Sequence, residues 1–364
     1  MNGMSSGRAW RWTKRFVGFV AVIVVLALAP IFWVETSCFS ERKTGGESTS
    51  RLQSQFNRPE INSYLTYPEW SIVHAYEDLA AIMRQTSASD FPYWSRSGSY
   101  WSSLCNIVGY ASEKGTVSGE YRTMLYIIGV SFSAEMMVKG LYEQTIGRLT
   151  AWLRGEEKTE EDRFALKVAD EYAAFLRQTP WYEFPFGARL SELWSEVPFG
   201  SSNWLRAIER RMALTFEYGG KAIYAKGIGA LAAAAPADLR IRSVVTGGDP
   251  SAIGGVRIIE ALDDGQAAII ETPRYAEFTR IIRDLASAGL SFSEIAGNDD
   301  IMVAVLAPVE EPVRFPLAKT LFSAPVAARP GWQRNMMNVP VSSLTEMIRA
   351  LDAGRAELEH VYDY

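Results

Sequence analysis

Histidine is nearly absent from this chain. Among its 364 residues there are two, His74 and His360. A Ser-His-Asp triad or a metal site built from several histidines is therefore hard to assemble. The sequence also contains no Walker loop, G-x-G-x-x-G, G-x-S-x-G or H-E-x-x-H motif. The sequence motifs therefore indicate no common class of enzyme.

The chain also has no excess of positive charge. Its 37 Lys and Arg are outnumbered by 42 Asp and Glu, which gives a formal net charge of −5. Nucleic-acid binding, which needs clustered basic residues, is not expected. An apolar content of 48% is ample for a sizeable core. The length suits about two domains plus an anchor.

Cysteine is scarce too, with Cys38 and Cys105 as the only two. Outside the cytoplasm such a pair often forms a disulfide, which would stabilise the fold by about 4 kcal/mol on the chain-entropy model. The alternative is two free thiols, one of them buried. Cys38–Cys105 is therefore a candidate disulfide that ties the segment before residue 60 to the helical region.

One long uncharged run is present, at residues 16–34. Nineteen helical residues span nearly 30 Å, the thickness of the hydrocarbon core of a bilayer. Arg and Lys precede the run and Glu35 follows it, so the positive-inside rule places residues 1–15 in the cytoplasm and the remainder outside. A cleaved signal peptide is the alternative, but Pro30 directly after Ala29 is a poor cleavage context. We predict an uncleaved transmembrane helix over 16–34, followed by a polar linker over 35–60.

Residues 61–235 are predicted to form a helical domain organised around a repeat. The pattern E-x3-K-x2-Y-x3-I-G-x-L occurs at residues 135–149 and again at 217–231. Its spacing puts all matched residues except the glycine on one helix face, so two related helices are expected to pack together. Charges in such apolar surroundings demand partners. The sequence predicts one buried network of ion pairs from four residues: Glu135, Lys139, Glu217 and Lys221.

Other signals support helices in this region. Thr66 with Glu69 three residues later reads as a capping box, and Thr159 precedes an acidic first turn. The region is rich in tryptophan, which suits either a core or a membrane surface. The matched residues of the two repeat copies are Glu135, Lys139, Tyr142, Ile146, Gly147 and Leu149, and Glu217, Lys221, Tyr224, Ile228, Gly229 and Leu231.

Residues 236–364 change to short apolar or alternating runs, which predict strands. Two amphipathic segments, 278–285 and 344–351, share Thr, Ile, Arg and Leu in register, and a strand pattern follows each. This similarity predicts two ββαβ-type halves in a ferredoxin-like α+β domain. The strand runs are 240–245, 255–261, 266–272, 290–296, 300–307, 320–326 and 356–363.

Glu69, His74 and Glu77 are the candidate metal ligands. His74 and Glu77 stand at i, i+3 on one helix face, but the order is the reverse of the Glu-x-x-His of di-iron bundles, and no second histidine lies in the helical region. A mononuclear site that adds a carboxylate such as Glu143 is one hypothesis. The other is that His74 is a hydrogen-bonded interior residue.

Three passages, 66–80, 179–190 and 358–364, carry a resemblance. They read TYPEWSIVHAYEDLA, TPWYEFPFGARL and LEHVYDY. They resemble a family of uncharacterised bacterial membrane-anchored proteins across the helical region and the C-terminal domain. The resemblance implies a membrane-anchored protein and brings no activity, ligand or catalytic residue.

Three functional interpretations follow. The first is a single-pass protein of the bacterial inner membrane whose periplasmic bulk binds or scaffolds; its partners are the membrane and a protein or a second copy, and no cofactor is indicated. The second is a metal-dependent or acid–base enzyme that uses His74, Glu77 and Glu135. The third is a polytopic protein in which windows 124–142 and 213–231 are embedded as well, although each contains Glu and Lys.

Overall fold

Helices form the first part of the chain and strands the last. The computed structural model describes residues 6–40, 50–154, 157–198, 203–232 and 239–364. It has the α+β class predicted from sequence, with a helical N-terminal half and a C-terminal region of two antiparallel sheets. The α-helices are α1 (Ser6–Ser37), α2 (Ile61–Leu65), α3 (Tyr67–Gln85), α4 (Tyr93–Lys114), α5 (Gly119–Tyr142), α6 (Arg148–Arg154), α7 (Glu160–Leu176), α8 (Phe186–Ser195), α9 (Trp204–Ala232), α10 (Tyr275–Ser287) and α11 (Leu344–Asp352).

The first repeat helix is not purely α-helical. A π-helical turn, Glu143–Gly147, joins α5 to α6 without a break. Gly147 lies inside this turn, where an added Cβ would come within 3.0 Å of a Glu143 carboxylate oxygen. In the second copy, the equivalent Cβ at Gly229 would meet nothing closer than 3.7 Å. The shared glycine therefore has a close side-chain neighbour in the first copy only.

Of the two predicted helix N-caps, Thr159 is confirmed and Thr66 is not. Thr159 and Asp162 form the reciprocal hydrogen bonds of a capping box at the start of α7. The predicted capping box at Thr66 is wrong: Thr66 is itself helical, and its hydroxyl donates to the Ser63 carbonyl. Because α2 runs directly into α3, the amides at this junction already have carbonyl partners and need no cap.

The eight strands form two sheets of the same topology. Their orders are β2-β3-β1-β4 and β6-β7-β5-β8, and every neighbouring pair is antiparallel. Irregularities recur at matching places, between Val244 and Val245 of the first sheet and between Ala304 and Val305 of the second. The strands are β1 (Arg240–Thr246), β2 (Arg257–Leu262), β3 (Ala267–Pro273), β4 (Ser291–Ile295), β5 (Asp300–Pro308), β6 (Lys319–Pro325), β7 (Trp332–Pro340) and β8 (Glu357–Tyr362).

The region is thus built from two similar halves, but each half is βββαβ rather than ββαβ. The ferredoxin-like prediction is wrong, because that fold has a single sheet of βαββαβ connectivity, whereas each half here completes a four-stranded sheet of its own. One strand, β7, escaped prediction. It is central in its sheet, yet it carries Arg334 and Asn335, both buried, which break the apolar pattern.

One core joins the two halves. It contains Phe278 and Ile282 from α10, Ile348 from α11, and residues from both sheets, such as Ile241 and Val303. The outer face of the second sheet packs on the helical region, where Met302, Ala304, Met336 and Tyr362 join the core of the helices. The second sheet is therefore covered on both faces and connects the helices to the rest of the C-terminal region.

Residues 50–58, which the sequence assigns to a linker, lie on the C-terminal region as an ordered strap. Leu52 is buried against Val244 and Ile269 on the outer face of the first sheet. The Arg58 guanidinium donates to the carbonyl of Tyr364 at 2.6 Å. Residues 41–49 of the predicted linker lie outside the described residues.

Candidate functional site

The candidate ligands on α3 do not all point the same way. The His74 side chain is 2% exposed and faces the second sheet, whereas Glu69 is exposed and is not part of the His74 group. The Glu77 carboxylate lies 3.0 Å from His74 Nδ1, as the i, i+3 spacing predicts. Glu143 is elsewhere, in a buried ion pair with Arg210.

A second acidic residue, Glu359 of β8, completes the group around His74. Its carboxylate lies 3.7 Å from His74 Nε2, so the imidazole stands between two carboxylates. Among the described residues, His74, Glu77 and Glu359 are the group whose ligand atoms lie close enough to share a metal ion, within 4.8 Å of one another. Glu359 was not among the residues predicted from the sequence. It lies on the last strand, far from His74 along the chain, and no local spacing connects the two.

Each carboxylate of this group is already held by an arginine. Arg334 donates two hydrogen bonds to Glu359, one from Nη2 to Oε1 at 2.6 Å and one from Nε to Oε2. Arg177 Nε donates to Glu77 at 2.5 Å. Burial alone would raise the pKa of Glu77, but the hydrogen bond and charge of His74, with the charge of Arg177, lower it to about 2. The same competition, with His74 and Arg334 as the opposing charges, lowers the pKa of Glu359.

The donor set therefore fits a metal poorly. Two carboxylates and two arginines already balance to zero charge, so a divalent cation would add two positive charges beside Arg177 and Arg334. The carboxylate oxygens that would bind it also accept hydrogen bonds from those arginines. This arrangement suits an ionic clasp between α3 and the second sheet better than a metal centre. We call His74, Glu77, Arg177, Arg334 and Glu359 the clasp.

The second histidine of the chain lies beside the clasp. The His360 ring stacks on Trp70 of α3 with centroids 3.5 Å apart. Thr279 Oγ accepts from the Val361 amide and lies 2.9 Å from His360 Nδ1. Complete burial, with the charge of His74 nearby, holds the pKa of His360 well below its usual value. His360 is thus a neutral packing residue of the interface.

The four repeat charges form a second cluster, between α5 and α9. The shortest contacts join the two helices: Lys139 Nζ lies 2.8 Å from Glu217, and Lys221 Nζ lies 2.7 Å from Glu135. The contacts within each helix are longer, 3.9 Å for Glu135–Lys139 and 3.5 Å for Glu217–Lys221. We call these four side chains, which are 13% to 28% exposed, the charge ring.

A small cavity lies next to the charge ring. Its volume is about 40 Å³, room for roughly three water molecules. Tyr76 of α3 reaches it and accepts a hydrogen bond from Lys221 at 3.3 Å. A substrate of ordinary size does not fit a space this small. Glu135 contacts the ring lysines and is not part of the His74 group, so the structure does not bring together the three residues of the proposed enzyme.

More charged pairs continue along the inner side of α9. Arg210 pairs with Glu143 in the π-helical turn, and Arg211 pairs with Glu161 of α7 at 2.8 Å. Arg206 contacts Asp162 at 3.2 Å. The side chains of these arginines are 8% exposed or less. Buried salt bridges are thus a general feature of this helical bundle.

The two cysteines lie together at the base of α1. Cys38 and Cys105 are bonded in the structure, with their Cα atoms 5.0 Å apart. The bond fastens the last turn of α1 to α4. Nearby, Glu35 contacts Arg122 of α5 at 3.0 Å and accepts a hydrogen bond from the Tyr126 hydroxyl at 2.7 Å. Both contacts place the end of α1 beside the start of α5.

Apolar side chains are exposed on several helices. Phe32 of α1, Val138 of α5 and Phe216 of α9 are between 69% and 74% exposed. Within the described residues, the one helix long and apolar enough to cross a membrane is Gly119–Leu153, which is internal. Much of the 16–34 segment lies inside α1, but several of its side chains fall outside what the structure describes. The N-terminal span therefore stays a prediction.

Comparison with protein-family models, curated proteins and solved structures found no match. The resemblance of the three sequence passages to a membrane-anchored family therefore stays a prediction.

Proposed function

We propose that this chain is a membrane-anchored, extracytoplasmic protein that acts by binding or scaffolding. The observation that carries the proposal is the distribution of charge in α5 and α9. Most of their charged side chains turn inward and pair with one another, while large apolar side chains point outward. Such an arrangement favours a surface that docks against something apolar over a pocket that binds and converts a substrate.

The anchor in this proposal is α1. Its 16–34 segment is uncharged and bilayer-long, and its exposed residues include Val25 and Phe32. Basic residues before it and the disulfide after it favour a cytoplasmic N-terminus and a bulk in the oxidising periplasm of a bacterial inner membrane.

A topology experiment tests the anchor. A periplasm-dependent phosphatase fused after Tyr364 should be active, and the fusion should stay in the membrane pellet after carbonate washing. Charged substitutions in the anchor, such as Val25→Lys with Leu28→Lys, should release the fusion. Activity of a cytoplasm-dependent reporter at the same site would contradict the proposed orientation.

A metal-dependent enzyme is the second candidate, favoured by the convergence of His74, Glu77 and Glu359. The binding proposal expects purified protein to hold far less than one metal per chain and to show no thermal stabilisation by zinc, manganese or iron(II). A stoichiometric metal that is lost in His74→Gln and kept in a matched variant of the exposed Glu69, Glu69→Gln, would favour the enzyme instead.

A further inference from the structure

We infer that the outward face of α5, α6 and α9 lies against bilayer lipid, beside the anchor. This face, which we call the apolar face, is formed by the exposed residues between Thr123 and Leu153, among which Arg148 is the one charged residue, and between Trp204 and Tyr224. The inference rests on the proposed membrane anchoring, and it names lipid acyl chains as what the exposed helices dock against.

Long stretches of the apolar face carry no exposed charge. None of the exposed side chains between Thr123 and Ile146 is charged, a distance of about 35 Å along the helix. The same holds between Trp204 and Tyr224 of α9, a distance of about 30 Å. An apolar helical face of this kind can lie along the membrane surface with its side chains among the acyl chains.

The two helices are aligned so that their uncharged stretches overlap over about 20 Å. Because Lys139 pairs with Glu217 and Glu135 with Lys221, α5 and α9 run antiparallel. The end of α6 therefore comes beside the start of α9, which brings Trp152 level with Trp204. These tryptophans are 80% and 54% exposed. Exposed tryptophan at the edge of an apolar surface is typical of the membrane–water interface.

Hydrogen bonding distinguishes lipid from a protein partner. Protein interfaces carry about one hydrogen bond per 100–200 Å², so they present free polar groups. Here the exposed hydroxyls of α5 are already satisfied: Thr123 donates to the Gly119 carbonyl, and Thr145 donates to the Leu141 carbonyl. The Tyr224 hydroxyl lies 3.4 Å from that of Ser131. A surface whose polar groups are satisfied internally is what a hydrocarbon environment requires.

An apolar groove connects this face to the anchor. It lies between α1 and α5, has a volume of about 380 Å³, and is lined by Ile31, Thr123, Tyr126, Ile127, Val130 and Ser131. The Glu35–Arg122 ion pair lies at its end. An uncharged groove with a charged group at one end has the shape of a site for an acyl chain whose polar headgroup stays outside.

Lipid covers one side of the bundle only. On the opposite side, α7 exposes Arg163 and Lys167, whose side chains are 56% and 52% exposed. Exposed charges of this kind belong in water. The bundle therefore lies against the bilayer with its apolar face and keeps α7 in the aqueous phase.

Fluorescence quenching in vesicles tests the inference. Leu141→Cys and Phe216→Cys place a thiol on the apolar face, Val25→Cys places one in the anchor, and Lys167→Cys on α7 is the matched control. The native cysteines are bonded, so a bimane label reacts at the new site. The labelled full chain is reconstituted in phosphatidylcholine–phosphatidylglycerol vesicles with or without brominated acyl chains. Thermal unfolding confirms that each variant is folded.

The labels at 141 and 216 should lose as much fluorescence to brominated lipid as the label at 25, and the label at 167 should lose none. Quenching of the first two by aqueous iodide instead would overturn the inference. Protection from both quenchers would overturn it too, because a second copy or a protein partner would then cover the face. If the label at 25 is not quenched, the anchor fails; if it is quenched and the other two are not, only the present inference fails.

Discussion

Removal of one carboxylate from the charge ring should destabilise the protein strongly. Glu135→Ala leaves Lys221 without its closest partner, with Glu217 at 3.5 Å as its remaining counter-charge. Breaking a fully buried pair costs about 3–5 kcal/mol, and an exposed pair contributes under about 1 kcal/mol. Since the ring side chains are 13% to 28% exposed, we expect a loss of about 2–3 kcal/mol.

The geometry also specifies which second substitution should restore stability. The sequence pairs Glu135 with Lys139 in the same helix, but the structure places Lys221 closer, at 2.7 Å against 3.9 Å. Glu135→Ala should therefore be rescued better by Lys221→Met than by Lys139→Met. In Glu135→Gln the amide still accepts a hydrogen bond, so this change should cost less than the alanine.

Denaturant unfolding in mild detergent, followed by tryptophan fluorescence, measures these changes. A double-mutant cycle should give a coupling energy above about 1 kcal/mol for Glu135 and Lys221. The matched control is Asp284→Ala, which breaks the exposed i, i+4 pair with Arg280 on α10 and should cost under about 1 kcal/mol. A loss that small for Glu135→Ala would refute the ring as a structural element.

Three further predictions concern the rest of the molecule. Native protein analysed by non-reducing mass mapping should contain Cys38 and Cys105 in one linked peptide pair, and free thiols at both positions would contradict this. Because burial lowers the pKa of His360, the unfolded chain binds a proton there below about pH 6.5 and the folded chain does not, so stability should fall as pH drops below that value. His360→Phe should flatten the unfolding profile between about pH 5 and 7, and an unchanged profile would show that other groups are responsible. Arg334→Met leaves Glu359 buried without its bidentate partner and should cost about 3–5 kcal/mol, with Arg334→Met/Glu359→Gln less destabilised than the single variant.

Local patterns account for what was predictable in this sequence. The repeat marked the helices α5 and α9 and the four charges that meet between them, because face periodicity is a property of a single helix. Spacing within one helix predicts ion pairs only between residues of that helix, four residues apart. The shorter ion pairs of the charge ring join α5 to α9, so the spacing could not predict them. The cysteine pair was similarly suggested by scarcity alone, without information on distance.

The clasp was beyond reach for a different reason. Its two halves, α3 and β8, are far apart in sequence. One member, Arg334, lies on β7, which was not predicted because its polar residues interrupt the apolar pattern. A buried arginine in a central strand contradicts the usual pattern, and is tolerated here because Glu359 satisfies two of its nitrogens. The ferredoxin-like error is related, since without β7 the second half has three predicted strands and does not show the four-stranded sheet that it shares with the first half.

The two charged clusters are connected through successive residues of α3. Tyr76 accepts a hydrogen bond from Lys221 of the charge ring, and the next residue, Glu77, is held by His74 and Arg177 in the clasp. On the sheet side, Asp78 accepts from the amides of Ala327 and Ala328. One turn of α3 thus fixes the apolar face and the second sheet in a single arrangement. A rigid connection between the apolar face and the covered sheet agrees with the proposed scaffolding role.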